Sequence, residues 1–344
     1  MIDKFNQYVN KHTICPYCLN NYLDSIKYGS ITEALDIDDD NMLVKAKPRK
    51  RRIEAPRYNV DVRSMSILVP THGCVNACKF CVSKISQLKD DYKDKSEEVE
   101  FTTNYFKKFE QVSKMGCEYA ILTGTGEPIQ NKPFLKMIGE FNRNIEKPFK
   151  LEIQTSGVML TDANLDFLKN EVGVYLISLS VSDIFDDKSN ADIITIHPHL
   201  RFSIMDLCKR IKSKGFILRL SLNLDNVYNK RTPEECIRRI QQLGVDQATF
   251  RVLWAGHDDN EISRWIKTNK VADRFIDDIE VYCMDNGKDL GGTYPKFQLG
   301  NLTVVLDKDC MAETNPGDIR YLILRSDNHL YTKWDSKDSI FRDS

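Results

Sequence analysis

Downstream of about residue 66, short runs of β-branched and aliphatic residues alternate with longer stretches whose apolar positions recur at helical spacing. The runs fall at 66–69, 119–123, 151–155, 175–181, 216–224 and 248–254. Between them, residues 104–115, 132–143, 163–170, 204–214 and 233–243 carry the 3.6-residue period that predicts amphipathic helices. Six strands alternating with helices predict right-handed βαβ units and a parallel sheet. Several of these strands are almost continuously apolar, as expected where helices cover one face and a filled interior covers the other. The expected fold is an α/β partial (β/α)6 TIM-like barrel over residues 64–256, with a flat, doubly wound sheet left open.

The two ends have a different texture. Residues 1–63 form an N-terminal extension with Cys15 and Cys18, an acidic run at 36–40 and a basic run at 45–52, where Pro48 interrupts any helix. Residues 257–344 read as a helix near 261–284 followed by a β-rich segment. In that segment 302–306 and 321–324 look like strands, and Ser326-Asp327-Asn328 reads as a turn into 330–332.

Composition narrows the function classes. With 344 residues the chain is long enough for a substantial core, and 49 Lys+Arg against 50 Asp+Glu argue against a generally nucleic-acid-coating protein. No apolar run reaches the roughly 18 residues of a membrane span, and the first residues lack a secretory leader. The expectation is a cytoplasmic protein without membrane contact. Ten cysteines in such a chain are expected to bind metal, to catalyse or to pack, rather than to form disulfides. Cys117, Cys208 and Cys236 fall in or beside predicted helices and read as small buried hydrophobes.

The clustered cysteines carry the chemistry. Thr71-His72-Gly73-Cys74-Val75-Asn76-Ala77-Cys78-Lys79-Phe80-Cys81 places Cys-x3-Cys-x2-Cys directly after the first barrel strand. Three thiolates on one tight loop suit three irons of a [4Fe–4S] cubane with the fourth iron open. Structural zinc needs four ligands, and only His72 is at hand to join them. After the second strand comes Thr123-Gly124-Thr125-Gly126-Glu127-Pro128, a glycine-rich turn that lets a ligand approach the backbone.

In this order, on successive strands, the two elements resemble the radical S-adenosylmethionine (radical SAM) superfamily. The resemblance implies that Cys74, Cys78 and Cys81 hold a [4Fe–4S] cluster and that Phe80 lies near the adenine of SAM. It implies that Gly126 and Glu127 engage the SAM amino group, with Thr125 replacing the first glycine of the usual Gly-Gly-Glu. The activity implied is reductive cleavage of SAM to a 5′-deoxyadenosyl radical, with electrons from a flavodoxin- or ferredoxin-like partner. Ser156 lies in a Gln-Thr-Ser-Gly turn after the third strand, similar to a turn in relatives. Ser178, Ser180 and Ser182 share one face of the fourth strand, and Arg219, Ser221 and Asn223 one face of the fifth. Ser156, Ser180, Arg219 and Asn223 are therefore expected to contact SAM or substrate, with Arg219 able to pair a carboxylate.

The substrate stays open at this point. A small-molecule or nucleotide-like substrate, enclosed by the barrel and a polar C-terminal hairpin, is the first expectation. RNA is the second: Gly124-x-Gly126-Glu127-Pro128-Ile129-Gln130-Asn131 is similar to a turn of radical SAM enzymes that methylate RNA adenine. Cys310 is then the candidate second-site catalytic cysteine, although its neighbours do not match that family's motif. Peptide or protein modification is disfavoured by the lack of a cysteine-rich extension, and a non-enzymatic electron carrier by Gly126 and Glu127. His12-x2-Cys15-x2-Cys18 leaves metal binding, redox pairing and no special role open.

Overall fold

The computed structural model describes residues 59–85, 103–256, 259–292, 294–308, 318–334, 336 and 338–341. Strands β1 (Asn59–Val69), β2 (Tyr119–Gly124), β3 (Lys150–Thr155), β4 (Val174–Val181), β5 (Ile217–Leu224) and β6 (Gln247–Val252) lie side by side in chain order, all parallel. That order never reverses, so there is no switch point of the kind a doubly wound sheet has.

The connecting helices follow from local signals. A short α1 (Val82–Ile85) ends the cysteine loop, and α2 (Thr103–Lys114) leads into β2. Helix α3 (Lys132–Asn144) is capped by Asn131, whose side chain accepts from Phe134 N, with Pro133 in its first turn. Helix α4 (Asp162–Phe167) runs into a π-helical turn, Leu168–Val172, that Gly173 terminates with φ 82°. Helices α5 (Asp187–Ile194) and α6 (Ile204–Ser213) both lie between β4 and β5. Helix α7 (Pro233–Gln242) opens with a Thr232/Glu235 capping box. Helix α5 has no counterpart in the expected pattern: eight residues show too little periodicity.

Alternate residues of each strand, among them Ile67, Leu122, Ile153, Leu179, Leu222 and Phe250, pack into one apolar core with Phe109, Leu135, Leu207 and Ile240 from the helices. The opposite strand face carries Ser66, Glu152, Ser178, Ser221 and Thr249. These are also buried, at 9% exposure or less, although the helical layer covers the other face. Polar residues on that face escape water because the sheet curls round upon itself, as a partial barrel does.

The C-terminal region adds strands to both edges rather than standing apart. The single helix expected near 261–284 is two, α8 (Glu261–Thr268) and α9 (Asp273–Asn286). After them come β7 (Lys288–Asp289), β8 (Lys296–Leu299), β9 (Leu302–Asp307), β10 (Asp318–Leu324) and β11 (Leu330–Tyr331). Strand β9 joins β6 in parallel and β10 joins β1 in parallel, giving the order β11-β10-β1-β2-β3-β4-β5-β6-β9-β8-β7. The hairpin expected to cap the barrel thus lies beside β1 as an extension of the sheet. No described helix is long and apolar enough to cross a membrane.

Candidate active site

The C-terminal ends of the parallel strands converge on one mouth, and both sequence motifs lie there. The loop leaving β1 carries Cys74, exposed, with Cys78 and Cys81 half-buried. Gly73, at φ 74°, makes the left-handed turn that starts it. The loop is pinned on two sides. Val75 N donates to Gln130 Oε1 at 3.2 Å, and Lys79 N donates to the carbonyl of Ile193 at the end of α5 at 3.2 Å.

The two motifs touch. A Cβ added to Gly124 would come within 2.5 Å of the Val69 carbonyl oxygen, and one on Gly126 would land on the Gly73 carbonyl and the Thr71 hydroxyl. Glycine at both positions lets the β2 turn nest against the cysteine loop. Asn131 Nδ2 donates to Pro70 O at 2.8 Å, tying the loop's first residue to the same turn.

Glu127 is only 3% exposed, and its carboxylate is held from both sides. Oε1 accepts the Thr155 hydroxyl at 2.6 Å, while Oε2 accepts Ser156 N at 3.0 Å and the Ser156 hydroxyl at 2.7 Å. Asn76 Nδ2 then donates to Ser156 Oγ at 2.8 Å. Burial pushes the Glu127 carboxyl upward, and the donors from Thr155 and Ser156 oppose that shift. The expected ligand contacts Glu127 and Ser156 therefore form, with Asn76 and Thr155, a network that braces β1, β2 and β3 loops together. Sequence reasoning missed Asn76, Thr155 and the bridging role of Gln130, because single amides and hydroxyls carry no spacing signal.

The three thiols differ in their surroundings. Burial raises Cys74, and burial together with the neighbouring Cys81 and Cys74 pushes Cys78 up to about 12. Asn76 N donates to Cys74 Sγ at 3.5 Å, and Cys81 Sγ lies 2.9 Å from Ser83 Oγ. Among the described residues no three His, Cys, Asp or Glu side chains are drawn into a closed metal shell. The donor set is three thiols on one loop, mutually within electrostatic reach, with a backbone N–H on sulfur and the glycine turn alongside. That set fits a cubane held at three corners better than four-coordinate zinc, since His72 is exposed.

Phe80 is buried in an apolar cluster with Val158, Ile193, Ile194 and Ile266, its ring 6.3 Å from that of Trp265. At the ends of β4 and β5, Ser182, Asn223 and Asp225 are buried, and Ser182 Oγ, Asn223 Nδ2 and Asp225 Oδ2 have no hydrogen-bond partner among the described residues. Ser180 is half-buried on the same face. Burial raises the Asp225 carboxyl to about 6, Asp183 adding to the effect and Lys79 opposing it.

Arg219 has partners within the sheet. Its Nη1 donates to both oxygens of Glu152 at 2.8 Å and its Nε to Gln247 Oε1 at 2.9 Å. The carboxylate it was expected to find in a ligand is supplied by β3, near the opposite end of the strands. Cys117, Cys208 and Cys236 are buried in the core as expected, and Cys283, left open, is buried there too. Cys15, Cys18, Cys310 and the basic run 45–52 lie outside the described residues.

A family model described as the radical SAM superfamily matches residues 68–268. No curated protein matches the chain. Among solved structures, anSMEcpe with bound AdoMet and Kp18Cys peptide is similar at 11% identity over 80% of this chain and 76% of that one, with a TM-score of 0.52. The same protein with AdoMet and Cp18Cys peptide aligns at 11% identity over 65% of this chain, with a TM-score of 0.44; the chain spans 60% of its length. Coproporphyrinogen III oxidase (HemN) from Escherichia coli, whose description names it a radical SAM enzyme, aligns at 19% identity over 67% of this chain and 53% of that one, with a TM-score of 0.43.

Proposed function

Because the chain belongs to the radical SAM superfamily, whose cofactors are a [4Fe–4S] cluster and S-adenosylmethionine, we propose that its barrel mouth is the active site of a hydrogen-abstracting enzyme acting on a small polar or nucleotide-like substrate. The observation that carries this reading is the direct packing of Gly126 on Gly73, which makes the cysteine loop and the Gly-Glu turn one site. When bound, cluster and SAM supply reductive cleavage of SAM and a 5′-deoxyadenosyl radical that takes a hydrogen from the substrate.

Cys74, Cys78 and Cys81 are the ligands in this reading. Gly126 gives the methionyl end of SAM access to backbone, and Glu127 fixes the turn while presenting negative charge toward an ammonium group. Ser180, Ser182, Asn223 and Asp225 offer hydroxyl, amide and carboxylate partners to ribose hydroxyls; three of them have buried polar atoms without a partner among the described residues. Phe80, in its apolar cluster, offers a dry face to adenine. Arg219 is left out, being committed to Glu152. The polar barrel interior supports a substrate with hydrogen-bonding groups.

Iron and sulfide analysis after anaerobic reconstitution tests the ligand set. The wild-type protein is expected to hold one cluster per chain, and Cys74→Ala, Cys78→Ala and Cys81→Ala each to lose most of the iron while keeping the far-ultraviolet spectrum. Zinc alone, or a cluster surviving replacement of all three, would sink it.

A further inference from the structure

Two arginines occupy interior-facing strand positions and are neutralised, and a third lies just past a strand end. Arg219 pairs with Glu152 at 2.8 Å, and Arg251 on β6 pairs with Asp307 on β9 at 3.0 Å. The third, Arg325, directly follows β10 and is 3% exposed. Its guanidinium stacks on the Tyr331 ring at 3.8 Å from the centroid, and Nη2 donates to the carbonyls of Lys333 at 2.9 Å and Trp334 at 3.3 Å. Nε is buried without a hydrogen-bond partner, and among the described residues no carboxylate pairs with the side chain.

The position is at the mouth. Ile67 of β1 pairs with Leu324 of β10, so Arg325 stands level with the end of β1, from which the chain runs on to Cys74. Leu68, Ile323 and Tyr331 form an apolar cluster on that face. Alternation along β10 sets Arg325 on the same side as Ile323. A buried guanidinium with no counter-ion among the described residues is unfavourable, and the same dry setting strengthens its attraction for an arriving anion. Stacking on Tyr331 and the two carbonyls that accept from Nη2 fix the plane of the guanidinium, and a fixed planar cation suits a carboxylate or a phosphate.

We infer that Arg325 is the recognition group for an anionic substituent of the substrate, a carboxylate or a phosphate, placed at the barrel mouth by the β10–β11 hairpin. The inference rests on the mouth being the reaction site. It is tested by thermal unfolding of the cluster-loaded, SAM-saturated protein in inorganic phosphate, in acetate and in chloride at matched ionic strength. The expected result is a saturable rise in midpoint with phosphate or with acetate, whichever matches the substituent, and none with chloride. Arg325→Gln is expected to weaken the response by about tenfold or more, consistent with loss of a charge-assisted fork. If that variant does not fold, Arg325→Lys is measured instead and is expected to weaken the response by about threefold or more, because an ammonium lacks the planar fork. An equal rise in all three salts, an unchanged response in the variant measured, or a response seen only when SAM is withheld would overturn the inference; the last would mark the site as that of the cofactor's own carboxylate. Formation of 5′-deoxyadenosine by the wild-type protein is measured separately, so failure of the radical SAM reading is distinguishable from failure of the anion site.

Discussion

Two buried carboxylates at the mouth meet different fates, and the difference is local. Glu127 has donors on both oxygens, so its burial is offset by hydrogen bonds. Asp225 uses Oδ1 to cap the turn at Val227 N at 3.0 Å, and its Oδ2 has no partner among the described residues. Its carboxyl is raised from 3.8 to about 6, so between those values the native chain holds a proton that the unfolded chain releases. Stability from this group is therefore greatest below the unfolded value and declines as pH rises through the folded one. Asp225→Asn is expected to raise stability at pH 7 by on the order of 2 kcal/mol, a gain that fades below about pH 4. Urea denaturation at both pH values checks the sign; a less stable variant at pH 7 would show that Asp225 is satisfied by a group in the fold. The same variant is expected to bind SAM more weakly, the trade-off of a residue kept for a ligand. That Cys74, Cys78 and Cys81 share one loop beside the Glu127 turn was legible in the sequence, because covalent spacing carries that signal. Asn76, Gln130 and Thr155 were not, because their partners lie on other strands. The pairing of Arg219 with Glu152 was hidden for the same reason: the two are 67 residues apart.

At the scale of elements, the site depends on two loops approaching more closely than side chains allow. Gly126 is not at positive φ, so its requirement is space alone. Gly126→Ala would force the Cβ against the Gly73 carbonyl, and the cysteine loop has to move. The expected cost is about 1–3 kcal/mol, the range of overpacking, together with loss of much of the cluster. Gly73→Ala, by contrast, meets no atom within 4 Å and strains only the backbone at φ 74°. Iron content and melting temperature of both variants check the contrast; equal iron in Gly126→Ala and wild type would contradict the close approach. The six barrel strands and most helices were legible because their burial pattern is periodic over enough residues. Helix α5 was not, and it is the element whose Ile193 carbonyl supports the cysteine loop. Its one local signal is Asp186, which caps Lys188 N and Ser189 N.

For the whole molecule, the strand order explains how one end of the sheet gathers the chemistry. Parallel strands in sequence order bring every strand-to-helix loop to one mouth, so residues far apart in the chain face a common space. The alternating pattern foretold this for β1 to β6. It did not foretell that β9 and β10 attach in parallel to opposite edges, since edge choice is set by long-range pairing that no local period encodes. That attachment is what carries Arg325 to the mouth. The most direct test of the whole is anaerobic incubation of the reconstituted protein with dithionite and SAM, followed by chromatographic quantification of 5′-deoxyadenosine. Wild-type protein is expected to form it, even slowly without substrate, and Cys78→Ala to form none above background. An intact, reduced cluster that yields no 5′-deoxyadenosine would contradict the reading and leave an electron carrier in its place.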